Sequence, residues 1–167
     1  MKFKTAAVAA IVAALSLAAR RGGRRTEPAP GSTGSDAPAA GFAADATIGV
    51  ALPWLGTQNW KEAQTMFEAE LKAAGFSPLV QAADNKVPQQ QQQIEAMIEQ
   101  GAKAIVVGPV DGKQLGPVLK NAKDAGILIL GYDRLIENTA AIDGVVQFGS
   151  IRTGELQGQA LLDGLAA

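Results

Sequence analysis

Three short stretches carry side chains whose types and spacing suit ligand chemistry. Tyr132-Asp133-Arg134 sets an aromatic, an anion and a cation side by side. A carboxylate accepts hydrogen bonds and a guanidinium donates several from a planar fork. Together they suit a neutral polyol, which both donates and accepts. By residue type alone, a loop ion pair capping the following turn accounts for them equally well. Their position tips the balance. They follow an unbroken apolar run over residues 127–130, set between Gly126 and Gly131. That run reads as a strand buried on both faces of a parallel sheet. In open α/β sheets, ligands bind outside the carboxyl ends of the strands.

The second stretch is Pro53-Trp54-Leu55-Gly56-Thr57-Gln58-Asn59-Trp60, which holds both tryptophans of the chain. An indole face can cover the apolar C–H side of a sugar ring while Gln58 and Asn59 bond its hydroxyls. A core position in the first turn of a helix suits Trp60 as well. We expect one tryptophan to pack and the other, Trp60, to face a cleft. The third stretch, Gly108-Pro109-Val110-Asp111-Gly112-Lys113-Gln114, invites comparison with a phosphate loop. It is one residue short, and Gln114 lacks the hydroxyl that would hold magnesium. It reads instead as a strand-to-helix turn with Asp111 as N-cap. No Gly-x-Gly-x-x-Gly follows the first strand, so a dinucleotide fold is not supported.

Composition narrows the chemistry further. The 167 residues suit one domain with a real hydrophobic core. The chain has no Cys and no His, which removes thiolates, the usual general base and the commonest metal ligands. No metal or cofactor is expected, and no enzyme activity. Residues 1–25 hold six of the 15 basic residues and no acid, which leaves nine bases against 16 acids in the remainder. An acidic body argues against a nucleic-acid partner.

These residues need a frame to hold them. Residues 1–21 read as an export signal: Lys2 and Lys4 precede an apolar run too short for a comfortable transmembrane helix. Leu17-Ala18-Ala19 begins like a lipoprotein processing box, but Arg20 stands where lipid attachment requires cysteine. Residues 22–45, rich in Gly, Pro, Ser, Thr and Ala, read as a flexible tether. The globular body is expected over 46–167. Strands are expected at 47–52, 77–82, 104–107, 127–130 and 145–148, with helices at 59–74, 88–100, 111–125 and 153–165. The glutamine run 89–93 reads as the exposed start of the second helix, since Gln tolerates helix well. Strand and helix alternating at this spacing predict an α/β fold with a doubly wound, parallel, five-stranded sheet.

Residues 47–167 resemble the N-terminal lobe of the periplasmic sugar-binding proteins of ABC transporters, in particular the xylose and multiple-sugar receptors. The resemblance is carried by Ile48-Gly49-Val50-Ala51-Leu52-Pro53, Asn59-Trp60, Ala83-Asp84-Asn85 with Gln90 and Gln93-Ile94, and Gly101-Ala102-Lys103. Asp111-Gly112, Tyr132-Asp133-Arg134-Leu135-Ile136 and Gly154-Glu155-Leu156-Gln157-Gly158 complete it. It implies the first lobe of a type I periplasmic binding protein, one of two that close on a sugar and deliver it to a membrane permease. It also implies an exported, non-catalytic protein whose ligand is a monosaccharide, pentose or hexose. Asp133 and Arg134 fall on the family's sugar-binding Asp-Arg, Trp60 on its ring-stacking aromatic, and Asn59 on the polar position before it. Phe148-Gly149-Ser150 departs from the family's Phe-Asp-Asn, so Gly149 supplies no acceptor there. The second lobe is expected to be absent and the receptor truncated. Two other classes share the architecture: the effector-binding domain of a transcription regulator, and a flavodoxin-like enzyme using Asp133 as base or metal ligand.

Overall fold

The computed structural model describes residues 41–165. The expected export signal and most of the expected tether lie outside the described residues. Five strands form one sheet: β1 (Thr47–Leu52), β2 (Ser77–Ala82), β3 (Ala104–Val107), β4 (Leu128–Tyr132) and β5 (Gly144–Val146). Its order is β2-β1-β3-β4-β5 and every pairing is parallel. The helices are α1 (Gln58–Ala73), α2 (Val87–Glu99), α3 (Gly116–Asp124) and α4 (Ser150–Leu165).

The central strands β1, β3 and β4 are short β-branched and aliphatic runs because both of their faces are covered. Ile48, Val50, Leu52, Val106 and Leu130 point to one face, where they meet Trp60, Phe67 and Leu71 of α1. Ala51, Ile105, Val107 and Ile129 point to the other, against Ile94 and Met97 of α2 and Leu119 of α3. This two-sided winding is the expected α/β architecture. The order in which strands are added reverses between β1 and β3, the switch point that opens a crevice at the carboxyl end.

Glycine supplies the stops. Gly75 has φ of 82°, a region that costs other residues steric strain. Its N–H bonds the Lys72 carbonyl at 3.0 Å, and the Phe76 N–H bonds the Leu71 carbonyl at 2.9 Å. This double closure ends α1 and turns the chain into β2. Gly101 and Gly126 end α2 and α3 with the same pair of bonds.

Four features differ from expectation. First, α3 begins at Gly116, not at Asp111. The Asp111 carboxylate accepts from the Lys113 N–H at 2.7 Å and from Gln114 Nε2 at 2.8 Å. It closes a turn of its own, a use of Asp that competes with helix capping. Second, β5 stops at Val146, and Phe148 lies beyond it. Third, packing begins ahead of the expected boundary at Ala46. The Phe42 ring meets Phe76 edge to face at 6.4 Å, and the Asp45 N–H bonds the Gly75 carbonyl at 2.9 Å. Fourth, the expected last helix, α4, starts at Ser150 and not at Thr153, and none of its residues is buried.

Candidate functional site

The site forms where the carboxyl ends of β1, β3, β4 and β5 open into loops. Asp133 follows β4 with φ of 64°, a left-handed value that Asp tolerates better than most residues. The N–H of Arg134 bonds the Tyr132 carbonyl at 2.7 Å, closing a three-residue turn around Asp133. The Asp133 N–H bonds the Val146 carbonyl at 2.8 Å, which ties this turn to the end of β5. The expected Asp-Arg pair is therefore held by backbone geometry and not by its own charges. Among the described residues no salt bridge joins the two. Arg134 instead donates from Nη1 to the Pro109 carbonyl at 3.2 Å. Its guanidinium carbon lies 5.5 Å from the Trp60 ring centroid, a cation–π distance.

Trp60 is only 3% exposed. Its indole is part of the core on the α1 face, edge to face with Tyr132 at 6.0 Å. Trp54 packs against the same cluster, half-buried. The expectation of one packed and one cleft-facing tryptophan is thus replaced by two packed ones. Trp60 reaches the cleft as part of its wall, and Arg134 already lies over its ring. Asn59 is exposed in the first turn of α1 and its Oδ1 accepts from the Thr57 hydroxyl. Gln58 is engaged along the helix, donating to Glu62 at 2.8 Å.

Asn59, Trp60, Tyr132, Asp133 and Phe148 line a notch of about 40 Å³. That is room for a few waters or one edge of a ring. Beside it lies an open depression of about 640 Å³, whose lining includes Asp111, Asp133, Arg134, Gln147 and Ser150. Asp133 is the residue common to both. The structure thus brings Asn59, Trp60 and Asp133 together and sets Arg134 next door. Burial, and secondarily the Asp133 charge, push the Tyr132 phenol above its ordinary range. It remains a hydroxyl donor at neutral pH. Asp111 is held below the ordinary carboxylate value, first by the Lys113 N–H and then by the Gln114 side chain.

Phe148 also lines the notch, a place not expected from the sequence. Its ring is 54% exposed at the mouth of the notch. The signal was an aromatic just after a strand end, the same signal that marked Tyr132. Among the described residues no group of His, Cys, Asp or Glu is arranged to hold a metal. No described helix is long and apolar enough to cross a membrane.

A five-stranded parallel sheet with helices on both of its faces defines an α/β lobe. The family described as periplasmic binding protein domain matches residues 48–167, and the chain belongs to it. The multiple sugar-binding periplasmic receptor ChvE of Rhizobium radiobacter is 38% identical over 125 residues, covering 74% of this chain and 35% of its own length. The D-xylose-binding periplasmic protein of Escherichia coli K12 is 37% identical over 124 residues, 74% of this chain and 37% of its own. Among solved structures, an ABC transporter solute-binding protein from Clostridium phytofermentans with bound β-D-glucose superposes with a TM-score of 0.69. It is 38% identical, with 72% of this chain and 37% of that one covered. The chain therefore spans roughly a third of the length of the curated relatives it matches.

Proposed function

We propose that this chain supplies one lobe of an exported sugar receptor that passes a monosaccharide, pentose or hexose, to an ABC permease. The observation that carries the reading is the Asp133–Arg134 turn. It presents an acceptor and a fork of donors at the carboxyl edge, where the notch and the open depression meet. A ring lying in the depression sets one edge into the notch. Its hydroxyls meet Asp133, Arg134 and Asn59, and its apolar face meets Phe148 and the rim of Trp60. Nothing in this arrangement needs a nucleophile or a metal, so the lobe captures its ligand without changing it. The sugar-binding relatives and the glucose-bound structure favour capture over the regulator and flavodoxin-like enzyme readings. Arg20 in place of a cysteine argues against a lipid anchor at that position.

One lobe contacts one side of a ligand, so weak affinity is expected of these residues when they are tested by themselves. Titrating D-xylose and D-glucose into the ¹⁵N-labelled chain tests the reading. Saturable shifts in the high-micromolar to millimolar range, clustered on Asn59, Asp133 and Arg134 and lost in Asp133→Ala, are expected. An absence of saturable shifts, or shifts centred elsewhere, sinks the assignment.

A further inference from the structure

Gln90 is the one buried polar residue among the described residues, at 0% exposure. A glutamine run that reads as an exposed helix start thus contains a core residue. Burying an amide is costly unless its bonding capacity is met. Here it is met by a single loop and the strand behind it. Gln90 Nε2 donates to the Gly108 carbonyl at 2.9 Å and, more weakly, to the Ala51 carbonyl at 3.3 Å. Its Oε1 accepts from the Val110 N–H at 2.8 Å. An aliphatic residue would fill the space without the desolvation cost, but it would hold none of these groups.

The loop that Gln90 grips touches the site with its other side. A Cβ on Gly108 would come within 3.2 Å of the Trp60 ring and 3.3 Å of Pro53, tighter than ordinary packing, so glycine lets the indole approach. The next carbonyl, that of Pro109, is the one that receives Arg134 Nη1. Two others in the run fasten different segments: Gln91 donates to the Gln114 carbonyl at 2.9 Å in the turn before α3, and Gln93 to the Ala82 carbonyl at 3.0 Å at the end of β2.

We propose that Gln90 is a positioning residue: by clamping Gly108 and Val110 it sets the Pro109 carbonyl, which in turn holds the Arg134 guanidinium over Trp60. Its importance for sugar capture rests on the function proposed above, but its geometry does not. The first experiment therefore uses the full 167-residue chain without ligand. The Trp60 ring current marks the Arg134 side-chain protons in an NMR spectrum. In Gln90→Met those resonances move toward their free-arginine positions while the β4 backbone amides keep theirs. Ile94→Val, buried on the same helix, is the control for lost stability and leaves Arg134 unmoved. If Gln90→Met does not fold, Gln90→Glu replaces it. Facing two carbonyls in the core, the introduced carboxyl is held neutral; it keeps the acceptor for Val110 and one donated bond of the two, and a partial movement of Arg134 is expected. Unmoved Arg134 resonances in a folded Gln90 variant overturn the proposal, as does equal movement in Ile94→Val.

A second arm uses D-xylose in a double-mutant cycle. Gln90→Met weakens binding about tenfold when Arg134 is present and less than about twofold in Arg134→Ala. Equal factors in both backgrounds show Gln90 to be a structural residue only. A wild-type chain that gives no sugar response refutes the receptor reading and leaves the Gln90 proposal to be decided by the ligand-free arm.

Discussion

Helices α1 and α4 are each 16 residues long and both carry an apolar stripe, yet they meet opposite fates. In α1, Trp60, Ala63, Phe67 and Leu71 recur at helical spacing and all four are buried against β1 and β3. In α4, Ile151 is 83% exposed and Leu165 is 77% exposed, and no residue is buried. An amphipathic pattern therefore specifies that a helix forms and which side it would bury, but not what it lies against. In α1 tertiary packing holds the helix; α4 depends on its own hydrogen bonds and local pairs such as Arg152–Glu155, worth only tenths of a kcal/mol when exposed.

The sharpest way to break this comparison is to truncate one apolar residue in each helix. Phe67→Ala is expected to cost about 3–5 kcal/mol, because Phe67 is fully buried and meets Tyr132 edge to face at 5.2 Å. Leu162→Ala, at a position 62% exposed, is expected to stay within about 0.5 kcal/mol. Urea unfolding of the two variants measures both, and a comparable loss from Leu162→Ala would show that α4 is packed in solution.

Glycine sharpens the contrast with a change of sign. Gly75→Ala, at the left-handed closure of α1, is expected to destabilise by about 1–2 kcal/mol. Gly158→Ala lies inside α4 with open space around it and is expected to favour the helix by about 1 kcal/mol. Thermal melts followed by circular dichroism decide this, and effects of the same sign in both would contradict it.

The smallest effect concerns Asp111, in a stretch expected to be helical like α1 but folded as a turn. Its folded pKa lies below the ordinary carboxylate value, held there first by the Lys113 N–H. The turn's contribution is thus complete above the unfolded value and is lost as pH falls through the folded one. The Lys113 amide resonance should titrate with an apparent pKa below the ordinary carboxylate value, and Asp111→Asn should abolish that titration. A midpoint at or above the unfolded value would count against the turn.

The sheet was legible because its central strands are apolar runs buried on both faces and because α1, α2 and α3 end in glycine; both signals lie in adjacent residues. Asp133 and Arg134 were legible as a candidate pair for the same reason, standing next to a run that could only be a strand. What stayed hidden depends on distant partners. A packed and a cleft-facing tryptophan have the same local signature, and only contacts with Tyr132 and Arg134 decide between them for Trp60. Gln90 sits four residues before Ile94 and seven before Met97, both buried, so its place on the inward face was readable. The carbonyls that make a polar residue tolerable there were not, because they come from β1 and the loop after β3. Asp111 suits a helix cap and a free-standing turn alike, and the start of α3 at Gly116 settles it.

The three glycine closures have a consequence for how the sheet is assembled. In each, the second closing bond is made by Phe76, Ala102 or Ile127, and the very next N–H makes a bond to a neighbouring chain segment. Ser77 bonds Ala46, Lys103 bonds Thr47 and Leu128 bonds Lys103. The stop of one helix thus counts off the first rung of the next strand, with no spare residue between them. A slip of one residue would turn every inward side chain of that strand outward. These junctions act as a ratchet against such slips, because the chain must break a closure formed among near neighbours before a strand can shift. Inserting a single residue after Gly75, Gly101 or Gly126 would free the pawl at that position and leave the other two engaged.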